Sequence, residues 1–205
     1  MIRALVPPLL VFLAAVAGAE EPERPVMREL PPGVLDRPPS QRALVDAREE
    51  LQRRFRGPLA RTTTAAGANQ AAEVLLDAAV AEEDRSLKWL LLVEARRLAV
   101  SAGNAMVVDQ SIILASASYD FDEVAAELRA LGEIPLRGLD PGRASALAQV
   151  AERLATRAET DRRFDEARAA QMLAIRAWQR AGNKAAAAQA ALRHDGIAAA
   201  AAGVR

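Results

Sequence analysis

The chain has 205 residues and a formal net charge of zero, with 27 basic and 27 acidic side chains, so it lacks the basic excess that nucleic-acid binding requires. It contains no cysteine and a single histidine, His194, which excludes disulfide bonds, thiolate chemistry and a zinc site with two histidines. Hydrophobic residues make up 51% of the chain but aromatic residues only 3%, and alanine is abundant, which favours closely packed helices over sheets.

Residues 1–19 have the three parts of a secretory signal peptide. Arg3 precedes an apolar run over residues 4–16, and small residues follow up to Ala19. We therefore predict cleavage after Ala19 and a secreted or periplasmic protein with no stable membrane insertion after cleavage. A retained anchor is the alternative, although the apolar run is shorter than the ~20 residues of a spanning helix. Residues 20–39 hold six of the eleven prolines and predict an extended tether.

From residue 40 the apolar residues recur with helical spacing. The first predicted helix has Ser40 as its N-cap and ends at Gly57-Pro58. The second covers residues 69–81 after a threonine-rich connection. The third covers residues 85–102, is apolar on nearly all sides, and is therefore expected to lie centrally. Gly103 ends it.

Five further helices are predicted in the second half of the chain. The fourth covers residues 105–117, and a capping box of Asp120 and Glu123 begins the fifth, which ends at residue 132. Asp140-Pro141 begins the sixth, which runs to about residue 159. The last two cover residues 164–181 and 184–194, with His194 near a helix C-terminus. The helical domain spans residues 40–196, and residues 197–205 form an alanine-rich tail, helical or frayed.

The tripeptide Ala-Gly-Asn occurs twice, around Gly103 and, 79 residues later, around Gly182. A phosphate-binding loop would place such a glycine after a strand, whereas a predicted helix precedes both glycines, so we interpret each as a helix end. Other residues match at the same spacing. They include Gln70 with Gln149, Glu73 with Glu152, Leu75 with Leu154, and Arg97 with Arg176. This indicates a duplicated helical unit.

Residues 162–183, RRFDEARAAQMLAIRAWQRAGN, resemble the second helix of a tetratricopeptide repeat, with Phe164, Ala167 and Ala174 at its aromatic and small positions. Residues 90–112 are similar to helical segments of uncharacterised exported bacterial proteins that carry the pattern EAR.LA..AG. The resemblance implies an all-α fold of antiparallel helix pairs, stacked as a short tetratricopeptide-like solenoid or a bundle, with a groove that binds a peptide.

Few residues are candidates for chemistry. Carboxylates cluster at residues 82–84, 120–123 and 161–166, where predicted helices begin and where capping is the simpler explanation than acid–base catalysis. Trp89 and Trp178 are expected to fill the core rather than stack on a ligand. Glu94 and Arg97 are spaced to form an ion pair on one helix. If that helix lines a groove, Arg97 and its counterpart Arg176 could instead hold a carboxylate of a partner.

No motif of an enzyme, metal site or cofactor site is recognisable, so we predict a non-enzymatic protein without a cofactor. The first functional hypothesis is a scaffold that offers a helical surface to a protein or peptide partner in the cell envelope. The alternative is a carrier or sensor whose helices enclose a small ligand, and an enzyme with a Glu-Arg site is the third hypothesis. A scaffold predicts an open groove, whereas a carrier predicts an enclosed pocket of several hundred Å³.

Overall fold

A computed structural model describes residues 37–203, and in this part of the chain the regular structure is entirely α-helical. Between residues 37 and 203, nine helices follow one another: α1 Leu44–Arg54, α2 Arg56–Leu59, α3 Ala65–Ala81, α4 Arg85–Ala102, α5 Ala105–Ser116, α6 Glu123–Gly132, α7 Pro141–Thr160, α8 Phe164–Arg180 and α9 Lys184–Gly203. The predicted all-α fold, with helices packed in adjacent pairs, is confirmed. The predicted signal peptide, and the tether up to residue 36, lie outside the described residues.

Consecutive helices pack against one another: α3 against α4, α4 against α5, α7 against α8, and α8 against α9. The core between them consists mainly of alanine and leucine, because alanine lets neighbouring helices approach closely while leucine fills the remaining space. The expected central helix, α4, contacts α1, α3, α5 and α6. Helices α5 and α6 both contact α7, so α7 packs on helices that precede it as well as on α8.

Both glycines of the repeated tripeptide end a helix, as predicted. Gly103 has φ 71° and Gly182 has φ 76°, the left-handed conformation that glycine adopts without strain. The hydrogen bonds also match: the amide of Asn104 donates to the carbonyl of Ala99 at 2.9 Å, and the amide of Asn183 donates to that of Trp178 at 3.0 Å. The C-terminal carbonyls of α4 and α8 are thus satisfied by the same backbone motif.

The asparagine of the tripeptide has a separate role that its sequence position did not reveal. Asn104 Oδ1 accepts a hydrogen bond from the amide of Val107 at 3.2 Å, and Asn183 Oδ1 accepts one from that of Ala186 at 3.1 Å. The side chain therefore caps the N-terminus of the next helix. In three residues the chain ends one helix and begins another, which fixes the tight connections from α4 to α5 and from α8 to α9.

The spacing of 79 residues extends to the helix boundaries. Three pairs of first residues lie 79 positions apart: Leu44 and Glu123, Arg85 and Phe164, and Ala105 and Lys184. The last residues of α3 and α7, Ala81 and Thr160, have the same separation. Helices α1, α3, α4 and α5 form what we call the first unit, and α6, α7, α8 and α9, which follow in the same order, form the second unit.

Three predicted boundaries near the start of the domain were wrong. Helix α1 ends at Arg54, because Phe55 leaves helical geometry, and Gly57-Pro58 lies inside the short helix α2, whose first turn tolerates proline. Ser40 Oγ does accept a hydrogen bond from the amide of Ala43, at 3.4 Å, but α1 begins only after a turn over residues 41–43. Helix α3 begins at Ala65, earlier than predicted, because Thr64 caps the amide of Gly67.

Two further predictions failed in the second half of the domain. The cap of α6 is Asp122, which accepts from the amide of Ala125 at 3.0 Å, and not Asp120, which lies two residues before it. His194 lies within α9 and not at its C-terminus, because alanine, the best helix former, continues the helix to Gly203. The described part of the alanine-rich tail is therefore helical and is continuous with the helix before it.

Candidate functional site

The two arginines predicted to contact a partner lie on different helices and have different surroundings. Arg97 on α4 is 62% exposed and donates from Nη2 to Glu94 Oε1 at 2.5 Å, a hydrogen bond that raises the pKa of Arg97. Arg176 on α8 is exposed, and its side chain makes no hydrogen bond or ion pair within residues 37–203. Leu173 takes the place of Glu94 in the second unit, so the predicted ion pair is present only once.

Both tryptophans pack against the core, as expected. Trp89 meets Tyr119 edge to face with ring centres 4.9 Å apart, and Phe121 with centres 5.9 Å apart. Trp178 is 8% exposed, and its Nε1 donates to Glu152 Oε1 at 2.9 Å. Tyr119 in turn donates its hydroxyl to the carbonyl of Arg85 at 2.5 Å. These rings connect neighbouring helices and do not form a platform for a ligand.

Carboxylates cap the helix in two of the three predicted clusters, whereas at the start of α8 the N-cap residue is Arg163 and no side chain caps the helix. Asp84 accepts from the amide of Leu87 at 2.7 Å at the start of α4, and Asp122 has the same role at the start of α6. Hydrogen bonds from Arg163 and from the amide of Ala125 lower the pKa of Asp122. A carboxylate held ionised in this way is poorly suited to act as a general acid near neutral pH.

A buried carboxylate that was not predicted from the sequence lies on α6. Glu127 on α6 has a side chain only 1% exposed, and it pairs with Arg157 of α7. Nη1 of the same arginine donates to Glu123 Oε1 at 2.6 Å, so one guanidinium serves two carboxylates. Burial raises the pKa of Glu127 to about 7, although Arg157 acts in the opposite direction. The sequence did contain an indication of this burial, since Glu127 falls on the apolar stripe of α6 between Val124 and Leu131.

A second ion pair lies beside the first. Arg153 of α7 donates from Nη2 to Asp109 Oδ2 of α5 at 2.8 Å, and Asp109 is largely buried. The sequence also indicates that Asp109 is buried, because it lies on the same apolar stripe of α5 as Ala105 and Ile112. The pair Asp109–Arg153 joins α5 of the first unit to α7 of the second, and the pair Glu127–Arg157 joins α6 to α7 within the second unit. Because Glu127 is enclosed, a substrate has no access to it, and the cluster is suited to holding the helices together.

A groove lies at the other end of the second unit, between α8 and α9. Its volume is about 440 Å³, and it is lined by Ile175, Gln179, Gly182, Lys184, Ala187, Ala188 and Ala191. Helix α9 packs on α8 through Ala187, Ala190 and Ile197, and Gln171 Nε2 donates to the carbonyl of Ala190 at 3.1 Å. The outer side of α9 is rich in alanine and includes Leu192, which is 74% exposed. The groove is thus an apolar surface beside the last helix.

Comparisons with protein-family models, with curated proteins and with solved structures found nothing that matches this chain. Between residues 37 and 203, no helix is long and apolar enough to cross a membrane. The same residues include no group of three or more histidine, cysteine or carboxylate side chains able to hold a metal ion. Functional proposals for this protein therefore depend on its surface and its buried charges.

Proposed function

We propose that this protein is a non-enzymatic scaffold of the cell envelope or periplasm, and that it binds another protein through the α8–α9 groove. The observation that carries the proposal is the character of this groove, which combines apolar floor residues with a polar rim at Gln179 and Lys184. The interaction surface of a protein commonly has this arrangement, in which an apolar centre is surrounded by polar residues. The envelope location depends on the predicted signal peptide.

The shape of the groove favours a helix as the bound segment. Three alanines of α9 line the groove within about one helical turn, namely Ala187, Ala188 and Ala191. Their small side chains leave a shallow channel along the helix. An amphipathic helix can place its apolar side in such a channel, which is a common mode of peptide recognition. The exposed Leu192 extends the apolar surface beyond the groove.

A carrier of a small ligand is the second candidate, and the observation in its favour is the volume. About 440 Å³ is within the range of ligand pockets, roughly 300–1,000 Å³. A carrier, however, needs to enclose most of its ligand, and Gln179, Lys184 and Ala188 on this groove are exposed to solvent. The exposure favours the scaffold.

The test is affinity capture from envelope extract with matched variants. Ala188→Arg places a long charged side chain in the groove, whereas Ala200→Arg makes the same change at an exposed position of α9 outside it. We expect a partner that is retained by the wild type and by Ala200→Arg but lost with Ala188→Arg. Arg97→Ala and Arg176→Ala, tested in parallel, show whether either predicted contact contributes. A partner list unchanged by Ala188→Arg would contradict the proposed site.

A further inference from the structure

The α8–α9 groove is the counterpart of a surface that is covered in the first unit. Four groove residues, Lys184, Ala187, Ala188 and Ala191, correspond 79 residues earlier to Ala105, Val108, Asp109 and Ile112. All four counterparts on α5 are buried, whereas Lys184 and Ala188 are exposed. The same face of the repeated unit is therefore covered in one position and open in the other, as far as the described residues show.

The cover in the first unit includes α7 and the connection that precedes it. Arg153 of α7 reaches Asp109, and Leu139 of the connection lies over Gly103. A Cβ atom built on Gly103 would lie 2.3 Å from Leu139 Cδ2, whereas one built on Gly182 would meet no atom of the described residues within 4 Å. Within the described residues, the second unit thus has the surface but no helix that covers it.

A helix of the matching kind is present at the beginning of the domain. The counterpart of α7 is α3, and at the position of Arg153 it has Val74. Two neighbouring positions on the same face correspond as well, Gln70 to Gln149 and Ala71 to Val150. Val74 is 37% exposed, and it borders a hollow of about 150 Å³ that also includes Gly57, Gln70 and Ala71. The face of α3 that corresponds to the covering face of α7 is therefore partly open to solvent.

We propose that the groove binds a second copy of this chain, head to tail, with α3 of one copy lying on α9 of the next as α7 lies on α5. At the centre of this contact Val74 would face Ala188, where the internal junction has Arg153 and Asp109. Both residues are uncharged, so neither is left as a buried charge without a partner. Because the two faces differ, the association is heterologous and forms open chains or closed rings. The inference rests on the proposed function of the groove and specifies its occupant.

Sedimentation velocity of the full chain, at concentrations up to roughly 1 mM, tests the association. We expect dimers and larger species whose population increases with concentration. Ala188→Asp and Val74→Arg should each weaken association by at least about tenfold, since each leaves a charge unpaired at the contact. Ala200→Asp, on the same helix outside the groove, should not. A monomeric wild type, or single variants that associate like the wild type, would overturn the inference.

Combining the two changes gives a sharper result. They recreate across the contact the pair that Arg153 and Asp109 form inside the chain, so the double variant should associate again, and more weakly as salt is added. An equimolar mixture of the two single variants should also associate and grow, because the two variants meet through the wild-type contact at one end and through the recreated ion pair at the other. If neither combination restores association, the proposed register is wrong.

A photo-crosslinking residue at position 188, introduced into the exported full chain, separates this inference from the proposed function. A crosslink to the region of Val74 in another copy supports both. A crosslink to a different protein supports the scaffold and overturns the inference about its occupant. A crosslink to residues 1–36 of the same chain overturns the inference and shows that the groove is covered internally. Absence of any crosslink, when the same residue at position 200 also gives none, contradicts both.

Discussion

The two helix-ending glycines allow a matched test of the structure, because they share a backbone conformation but differ in their surroundings. Gly103 and Gly182 have nearly equal φ values, 71° and 76°. Substitution by alanine places a Cβ in the left-handed region, which costs about 1–2 kcal/mol, and stiffens the unfolded chain, which returns about 0.4–1 kcal/mol. On backbone grounds alone, both variants should lose about 1 kcal/mol of unfolding free energy.

The difference between the two variants comes from one neighbour. The new Cβ at position 103 would lie 2.3 Å from Leu139 Cδ2, and Leu139 is buried, so its side chain or the connection that carries it must move. Overpacking of this kind costs roughly 1–3 kcal/mol. We therefore expect Gly103→Ala to be destabilised by about 2–4 kcal/mol in total and Gly182→Ala by about 1 kcal/mol.

Urea unfolding at equilibrium, followed by circular dichroism at 222 nm, measures both variants against the wild type. The double variant Gly103→Ala with Leu139→Ala provides the control, since removing the leucine removes the overlap. Its loss should be smaller than the sum of the two single losses, with a coupling of at least about 1 kcal/mol. Equal losses at the two glycines would refute the described packing of Leu139, and a stabilised Gly182→Ala would refute the left-handed helix end.

Three further comparisons use other contacts. Asn104→Ala and Asn183→Ala each remove a helix cap, worth about 1 kcal/mol. Asn104 in addition donates to Asn69 Oδ1 at 2.7 Å, a hydrogen bond for which Asn183 has no counterpart among the described residues. Urea unfolding should therefore show a loss that is larger by about 1 kcal/mol for Asn104→Ala. Burial raises the pKa of Glu127 from 4.5 to about 7, so its contribution to stability is complete below pH 4.5 and is lost as the pH rises to 7. The unfolding free energy of Glu127→Gln, relative to wild type, should therefore increase by roughly 3 kcal/mol over that range. A difference between the two proteins that does not change with pH would contradict the raised pKa. Arg157→Ala leaves the Glu127 carboxylate unpaired and should lower the unfolding free energy by about 3–5 kcal/mol at pH 8. Arg97→Ala breaks an exposed pair and should lower it by less than about 1 kcal/mol. Similar losses for the two variants would contradict the difference in burial.

The features predicted correctly from the sequence depend on interactions within a few residues. Gly103, Gly182 and Asp140-Pro141 each determine a helix boundary through contacts within one turn, so their positions in the sequence were sufficient. The helix end predicted at Gly57-Pro58 was wrong, because neither residue excludes the first turn of a helix and a short helix forms there. Asp120 and Asp122 both resemble caps, and local spacing does not decide which of them lies at the helix start.

The candidate site was less predictable because it depends on contacts between distant segments. Glu127 and Arg157 are 30 residues apart and each lies on an apolar stripe, but only the packing of α6 on α7 shows that they meet. The α8–α9 groove depends on a further fact, namely which face of the repeated unit is covered. Alanine-rich segments have nearly the same sequence pattern whether a neighbouring helix covers them or not, and the pattern of α9 does not distinguish these cases.

The placement of charges around the two units explains how the chain could keep its internal junction distinct from a contact with another copy. If α3 of a second copy replaced α7 on α5, Val74 would stand where Arg153 stands and would leave the largely buried Asp109 without its partner. Leaving a buried charge unpaired costs several kcal/mol, which is more than most single apolar contacts contribute. On α9 the counterpart of Asp109 is Ala188, and Val74 can lie against it without that cost. The ion pair at the junction thus disfavours exchange of helices between copies, while the uncharged end still accepts a second copy.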